Sequence, residues 1–286
     1  MELRTLRYFV AVAEEQHFGR AAARLNMTQP PLSRAIRQLE LDLGCKLLRR
    51  SPSGAVLTAA GLSLYNDAKQ LLGTAEQART RAQNAAGTHT LTIGTLADNA
   101  EVGNLADAYR QQHPGIQIQI READFTDPTA GLRRGRVDVA LTRSPFDLTG
   151  LTVRVLRSEP LGVVLRADDP LAGHAILRTD DLRTRRWFRL PEDTDPVWRS
   201  FWTPPNTGPD GPVVRTVSEC LQAVLWNGSV GLTPLGHTQP EGLVTVPLAD
   251  APRSDLVLAW ETSDRNPLTT ALAQTAAALY RRAAPT

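Results

Sequence analysis

Residues 18–44 read FGRAAARLNMTQPPLSRAIRQLELDLG, and this stretch decides the fold of the N-terminal part. Arg20 to Leu25 is alanine-rich and sets Ala22 and Leu25 on one side, as a short helix does. Asn26-Met27-Thr28 makes a tight connection. Thr28 is a residue type suited to an N-cap, and Pro30 and Pro31 fall in the following first turn, where a missing amide costs little. Leu32, Ile36, Leu39 and Leu43 then recur at spacings of 4, 3 and 4, one face of a longer helix with Gly44 as its C-cap. Upstream, Leu3, Leu6, Val10 and Ala13 step 3, 4 and 3, with Phe9 and Val12 widening the stripe, until His17-Phe18-Gly19 interrupts it. Downstream, Lys46 to Arg50 and Ala55 to Thr58 flank Ser51-Pro52-Ser53-Gly54, the pattern of a short β-hairpin.

A short helix, a tight turn and a longer helix form a helix-turn-helix, whose second helix offers its N-terminal residues to the major groove. The residues on its outward side are Gln29, Ser33, Arg34, Arg37 and Gln38. Gln and Arg make bidentate contacts with adenine and guanine edges, and Ser bonds base or phosphate. Arg49 and Arg50 of the hairpin are placed to hold phosphates beside the groove. A trihelical bundle with a solvated polar face has the same periodicity, and pattern alone leaves that alternative open.

The charge distribution favours an anionic partner for this block. The chain has 286 residues and a formal net charge of +2. Residues 1–58 hold nine Lys/Arg against five Asp/Glu, whereas residues 91–286 hold twenty against twenty-three. Hydrophobic content of 42% excludes wholesale disorder. No uncharged apolar run is long enough to span a membrane. Glu2, Arg4 and Arg7 near the start, with no apolar run behind them, argue against a signal peptide. Two cysteines, Cys45 and Cys220, make no disulfide framework, and no Cys/His cluster has zinc-finger spacing. These features read as a cytoplasmic protein without membrane, metal or cofactor.

The run from Phe18 through Ala21-Ala22, Leu25, Thr28-Gln29-Pro30-Pro31-Leu32-Ser33, Ile36 and Leu39-Glu40 to Leu43-Gly44, continued by Leu47, Arg50 and Leu57-Thr58-Ala60-Gly61, resembles the LysR-type transcriptional regulators. The resemblance implies a multi-domain protein. An all-α winged helix-turn-helix would occupy residues 1–58 and a linker helix with hinge residues 59–88. An α/β effector domain of two periplasmic-binding-protein-like subdomains would occupy 89–286, one from 89–160 and 262–286, the other from 161–261. It implies binding to promoter half-sites on double-stranded DNA through Thr28, Gln29, Pro30, Pro31, Ser33, Arg34, Arg37, Arg49 and Arg50, as a dimer or tetramer modulated by a small molecule. Many family members carry an arginine in the hairpin where this chain has Ser53-Gly54, so Arg49 or Arg50 would have to supply that contact.

From Leu57 the positions Leu57, Gly61, Leu64, Ala68, Leu71, Ala75, Ala78, Ala82 and Ala85 alternate steps of 4 and 3, a heptad seam. It fits either one helix packed on its own body or a helix paired with its copy; the resemblance implies the pair, with Ala86-Gly87-Thr88 as hinge. Beyond residue 90 strands and helices alternate. Strands are expected at Leu91–Leu96, Ile116–Ile120, Val137–Thr142, Leu161–Leu165, Trp187–Leu190, Val213–Val217, Val230–Thr233, Leu243–Pro247 and Asp255–Trp260. Helices are expected at Glu101–Gln112, briefly at Leu132, and at Leu268–Arg282, around a mostly parallel sheet. The resemblance implies crossovers between the subdomains near 158–162 and 259–264, with the last helix returning to the first subdomain.

Ligands of open α/β sheets bind beyond the carboxyl ends of strands. That rule selects Leu96, Asp98 and Asn99, then Phe125 and Thr126, then Arg143, and Pro196, Val197 and Trp198 in the second subdomain. Asp98 either meets the ligand or caps the helix that follows it. Trp198 and Trp202 either wall an apolar ligand or belong to the core. Arg143 pairs either an anionic ligand or Asp98. Catalysis finds little support. The five histidines lie in five separate segments, Gly228-Ser229-Val230-Gly231 lacks the spacing of a nucleophile elbow, and Cys220 sits among Leu221, Val224 and Leu225. A two-lobed small-molecule-binding protein or enzyme with no DNA role is the alternative.

Overall fold

The computed structural model describes residues 2–51, 54–85, 90–96, 99–205 and 207–282. The chain divides into two compact units, Met1–Ala86 with Arg133–Arg136, and Gly87–Leu132 with Val137–Thr286.

The first unit contains α1 (Leu3–Glu15), α2 (Phe18–Arg24), α3 (Gln29–Leu43), β1 (Leu48–Ser51), β2 (Gly54–Leu57) and α4 (Ala59–Ala85). Phe9, Val12, Ala21, Leu32, Ile36, Leu39 and Leu47 form its core. The stripe of α1 centres on Leu6, Phe9 and Val12, and Leu3 at its start is 44% exposed. His17 explains why α2 begins before Arg20: its Nδ1 accepts from the backbone N–H of Gly19 at 3.0 Å and of Arg20 at 3.3 Å, capping the helix. Asn26, at φ 52°, turns the chain into α3. Two expectations for α3 change. Thr28 sits at the N-cap in extended conformation, but its side chain makes no capping bond; the prolines in the first turn leave fewer amides to satisfy. Leu43 is 41% exposed, because the helix ends there at the left-handed Gly44.

The hairpin pairs Leu48 with Leu57 and Ser51 with Gly54. Gly54 adopts φ 138°, and a Cβ there would collide with the carbonyl of Gln16, to which Ala55 donates its N–H at 2.8 Å. The first half of the heptad seam serves this unit itself. Gly61 and Ala68 are buried, and Leu64 packs on the three-helix core. Leu71 and Ala78 further along are exposed. The Ala86-Gly87-Thr88 hinge lies outside the described residues.

The second unit holds two sheets. The first runs β4-β3-β5-β10-β6, from β3 (Thr90–Thr95), β4 (Gln117–Glu122), β5 (Val139–Ser144), β6 (Leu151–Glu159) and β10 (Ser254–Glu261). Only β3 pairs in parallel, with β4 and β5; β10 runs antiparallel between β5 and β6. The second sheet, β8-β7-β9, is antiparallel throughout and comprises β7 (Leu161–Arg166), β8 (Gly231–Pro234) and β9 (Leu243–Pro247). The expected mostly parallel sheet is therefore corrected to mixed and antiparallel ones. The strand expected at Trp187–Leu190 makes isolated bridges at Trp187 and Arg189, one of them to Val213, and β6 was not expected at all. The brief helix at Leu132 is a run of turns instead, since Ala130 and Gly131 both take positive φ and break any helical path.

Helices α5 (Asn99–Gln112) and α8 (Pro267–Arg282) share a core with the first sheet through Leu105, Tyr109, Leu272 and Ala276, so the last helix does return to the first lobe. The chain passes to the second lobe at Pro160, between β6 and β7. It comes back before Ser254, because β10 already belongs to the first sheet; the second crossover thus precedes the expected 259–264. Two helices of the second lobe, α6 (Pro196–Trp202) and α7 (Val217–Asn227), complete the unit. Among the described residues no helix is long and apolar enough to cross a membrane.

Candidate functional site

Each unit carries one surface with chemistry. In the first, burial of Leu32, Ile36 and Leu39 turns the opposite side of α3 outward. Thr28, Gln29, Pro30, Arg34, Arg37 and Gln38 are exposed, and Pro31 and Ser33 are half-buried. Gln38 is partly occupied, donating to Asp42 at 2.8 Å. Arg49 is exposed on β1; the side chain of Arg50 lies outside the described residues.

What holds this surface in place is Glu40, which the sequence reading quoted only as part of the resemblance. It is 8% exposed. One carboxylate oxygen accepts the N–H of Leu47 at 3.0 Å and of Leu48 at 3.2 Å, and the other takes the ammonium of Lys46 at 2.8 Å. Burial works against its charge, but the bonds from Lys46, Leu47 and Leu48 outweigh that and hold its pKa below the usual carboxylate value. The helix and the root of the hairpin are fastened through one side chain. A Glu at the edge of an apolar stripe was the only signal available.

In the second unit a cavity of about 80 Å3 opens between the two lobes. Leu96, Phe125 and Arg143, following or ending β3, β4 and β5, line it from the first lobe; Trp198 and Trp202 of α6, Cys220 and Val224 of α7, and Gly231 to Pro234 of β8 line it from the second. Of the expected ligand residues, Leu96, Phe125, Arg143 and Trp198 meet there. Thr126 does not, since its N–H and hydroxyl both turn back to Asp124. Pro196 lines a separate groove beside Arg189 and Arg199, and Val197 is 44% exposed. Asp98 and the side chain of Asn99 lie outside the described residues. Phe188, Cys220, Val224 and His237 were missed, because no local pattern connects them to the strand ends.

The two tryptophans are both core and wall. Trp198 is 1% exposed, donates its indole N–H to the Phe125 carbonyl at 2.9 Å, and stacks edge-on with Phe125. Asp195 caps α6 by accepting the Trp198 N–H, and its other oxygen accepts the N–H of Asp147 across the lobes. Arg143 pairs with Glu159 at 2.6 Å, where the sequence reading had proposed Asp98 or a ligand anion. Arg157 bridges Glu159 at 3.1 Å and also meets Glu101, so two guanidinium groups face two carboxylates. Desolvation lowers the Arg157 pKa, yet Glu101 and Glu159 outweigh it and raise it above the ordinary value. Burial pushes the Cys220 thiol up to about 12, which keeps it protonated and unreactive. Among the described residues no group of three His, Cys, Asp or Glu is arranged for a metal ion.

Comparison with known proteins bears on both surfaces. Residues 3–62 match the bacterial regulatory helix-turn-helix protein, lysR family, and residues 82–281 match the LysR substrate binding domain. The chain is 40% identical over 181 residues to the HTH-type transcriptional regulator YnfL of Escherichia coli (strain K12), spanning about 60% of that protein's length. It is 33% identical over 285 residues to the Hca operon transcriptional activator HcaR of the same strain, covering 93% of this chain and 94% of that one. Among solved structures, CbnR, a LysR family transcriptional regulator, shares the fold over 100% of both chains at a TM-score of 0.65 and 21% identity. Full-length BenM matches 100% of this chain and 99% of its own at a TM-score of 0.54 and 28% identity. Matched on both the helix-turn-helix unit and the two-lobed unit, the chain belongs to the LysR family of bacterial regulatory proteins.

Proposed function

We propose that the protein is a transcriptional regulator and no enzyme, reading promoter DNA through α3 and responding to a small molecule held in the cavity of the second unit. The observation that carries the reading is the outward side of α3, where Gln29, Arg34 and Arg37 stand exposed beside the exposed Arg49 on a basic unit. Thr28, Pro30, Pro31 and Ser33 shape the helix entry, and Arg49 and Arg50 take phosphates. The exposed second half of the α4 seam, Leu71 and Ala78, pairs with a second copy, which sets two reading helices on two half-sites as a dimer or tetramer. Such a role places the protein in the cytoplasm with the chromosome.

Leu96, Phe125, Arg143 and Trp198 contact the effector. For the effector to regulate, it must favour one arrangement of the protein over another, since equal affinity shifts nothing. A footprint of the full chain on DNA upstream of its own and neighbouring genes tests the reading. The expected result is a protected pair of half-sites, absent on random DNA at the same salt, with affinity falling steeply as salt rises. Protection no better than on random DNA would overturn it in favour of a two-lobed binding protein.

A further inference from the structure

Two residues that line the cavity between the lobes carry buried donor groups with no acceptor among the described residues. Arg143 is 4% exposed, and its Nε and Nη1 have no acceptor among the described residues; only Nη2 approaches carboxylates, Glu159 at 2.6 Å and Glu101 at 4.0 Å. Trp202 is 3% exposed, and its indole N–H likewise has no acceptor among the described residues. Trp198, one turn earlier on α6, shows what satisfaction looks like there, with its N–H on the Phe125 carbonyl. Buried donors without acceptors lose the full benefit of hydration, so native structures rarely keep them without a partner in prospect. Both residues line the same cavity, whose remaining wall is mostly apolar: Leu96, Phe125, Phe188 and Val224.

We propose that this cavity binds an uncharged, mainly apolar molecule that presents one acceptor oxygen, a ketone or carboxamide, to Arg143 and Trp202. The inference rests on the reading of the cavity as the effector site and adds the chemical class of the effector. Charge decides between a neutral acceptor and a carboxylate. Arg143 and Arg157 are matched one for one by Glu101 and Glu159, all but Arg157 with side chains no more than 12% exposed. A carboxylate would add a negative charge to a balanced cluster and leave it uncompensated inside an apolar wall. A neutral oxygen accepts the same hydrogen bonds and adds no charge. Volume limits the body of the ligand: about 80 Å3 is roughly half of the ~150 Å3 that a dry apolar cavity uses to hold benzene.

Acetamide and acetate, small enough for this volume, test the class, because they share a skeleton and differ in charge. Their binding to the full-length protein is read by ligand-observed NMR and by tryptophan fluorescence. Acetamide is expected to bind at least tenfold more tightly than acetate, and Trp202→Phe, which keeps an aromatic ring and removes the N–H, to weaken it at least fivefold. Arg143→Lys, which keeps the charge opposite Glu159, should also weaken it. Acetate binding as well as the amide overturns the neutral class and leaves the cavity standing as the effector site. If neither probe binds, or the amide binds without sensing Trp202→Phe, the inference fails. A promoter footprint that persists in those cases keeps the DNA-reading assignment separate from that failure.

Discussion

Helix α3 and the cavity between the lobes are built in opposite ways. Every residue that α3 turns outward lies within about three turns of one helix, and its orientation follows from which of its neighbours are buried. The cavity collects side chains from β5, β7, β8, α6 and α7 and from the segments that carry Leu96, Phe125, Phe188 and His237, so it exists only after two lobes have docked. The first surface tolerates change at the tips of its side chains. The second feels any change that alters packing, because its walls are also the core: Trp198 and Trp202 belong to the same buried cluster as Phe188, Val214 and Val257.

The largest expected effect falls on that shared wall. Trp198→Ala should cost about 3–5 kcal/mol of stability, the usual range for emptying a buried aromatic site, and should lower the urea midpoint of the second unit. A loss below 1 kcal/mol would break the contrast, since it would make the cavity wall separable from the core. Glu40→Gln comes next, at about 1–3 kcal/mol near neutral pH, because a charged acceptor of several bonds is weakened in a buried place. Its folded pKa lies below the unfolded one, so its contribution is present above the unfolded carboxylate pKa and fades as pH falls through the folded value. The variant should therefore show a flatter acid limb in a stability-against-pH series; an unchanged limb removes Glu40 from its assigned place.

Arg34→Ala and Gln29→Ala sharpen the comparison from the other side. Each should leave the melting temperature unchanged and lose about 1–3 kcal/mol of discrimination between the protected site and random DNA. If both keep full selectivity, α3 is not the reading element. The smallest pair concerns helix starts. Asp195→Ala should cost about 1 kcal/mol, since the side chain caps α6, while Thr28→Ala should change stability by less than about 0.5 kcal/mol, since Thr28 makes no capping bond. Thermal unfolding of the two variants side by side reads that difference.

The same contrast explains what the sequence made legible. Leu32, Ile36 and Leu39 fixed the turn of α3 because helical burial repeats over three and four residues, and Gly44 marked its end. The alternation of strands and helices outlined most elements of the second unit, and its two lobes came from the family resemblance. Sheet parity did not follow, because β10 inserts between β5 and β6 and which strand lies beside which is set by long-range topology. Leu96, Phe125, Arg143 and Trp198 meet at the cavity because strand ends converge; Thr126 and Val197 are carried away by a local turn and by the outward side of a short helix. Arg143 is anticipated as a ligand contact, but its partner Glu159 ends β6, a strand outside the expected set although Leu151, Val153 and Val155 alternate with Thr152 and Arg154. Trp202 was left between wall and core, and the packing shows that it is both.

The clasp at Glu40 has one more implication. Because the carboxylate binds the backbone of Leu47 and Leu48, and only Lys46 by side chain, its hold is indifferent to what the neighbouring residues contribute beyond their main chain. On the proposed reading of α3, substitutions at Gln29, Arg34 or Arg37 would rewrite the target vocabulary while the frame that presents those residues stays the same. On that reading a lineage would move from one operator to another by exchanging a few tips, with no intermediate that has to refold.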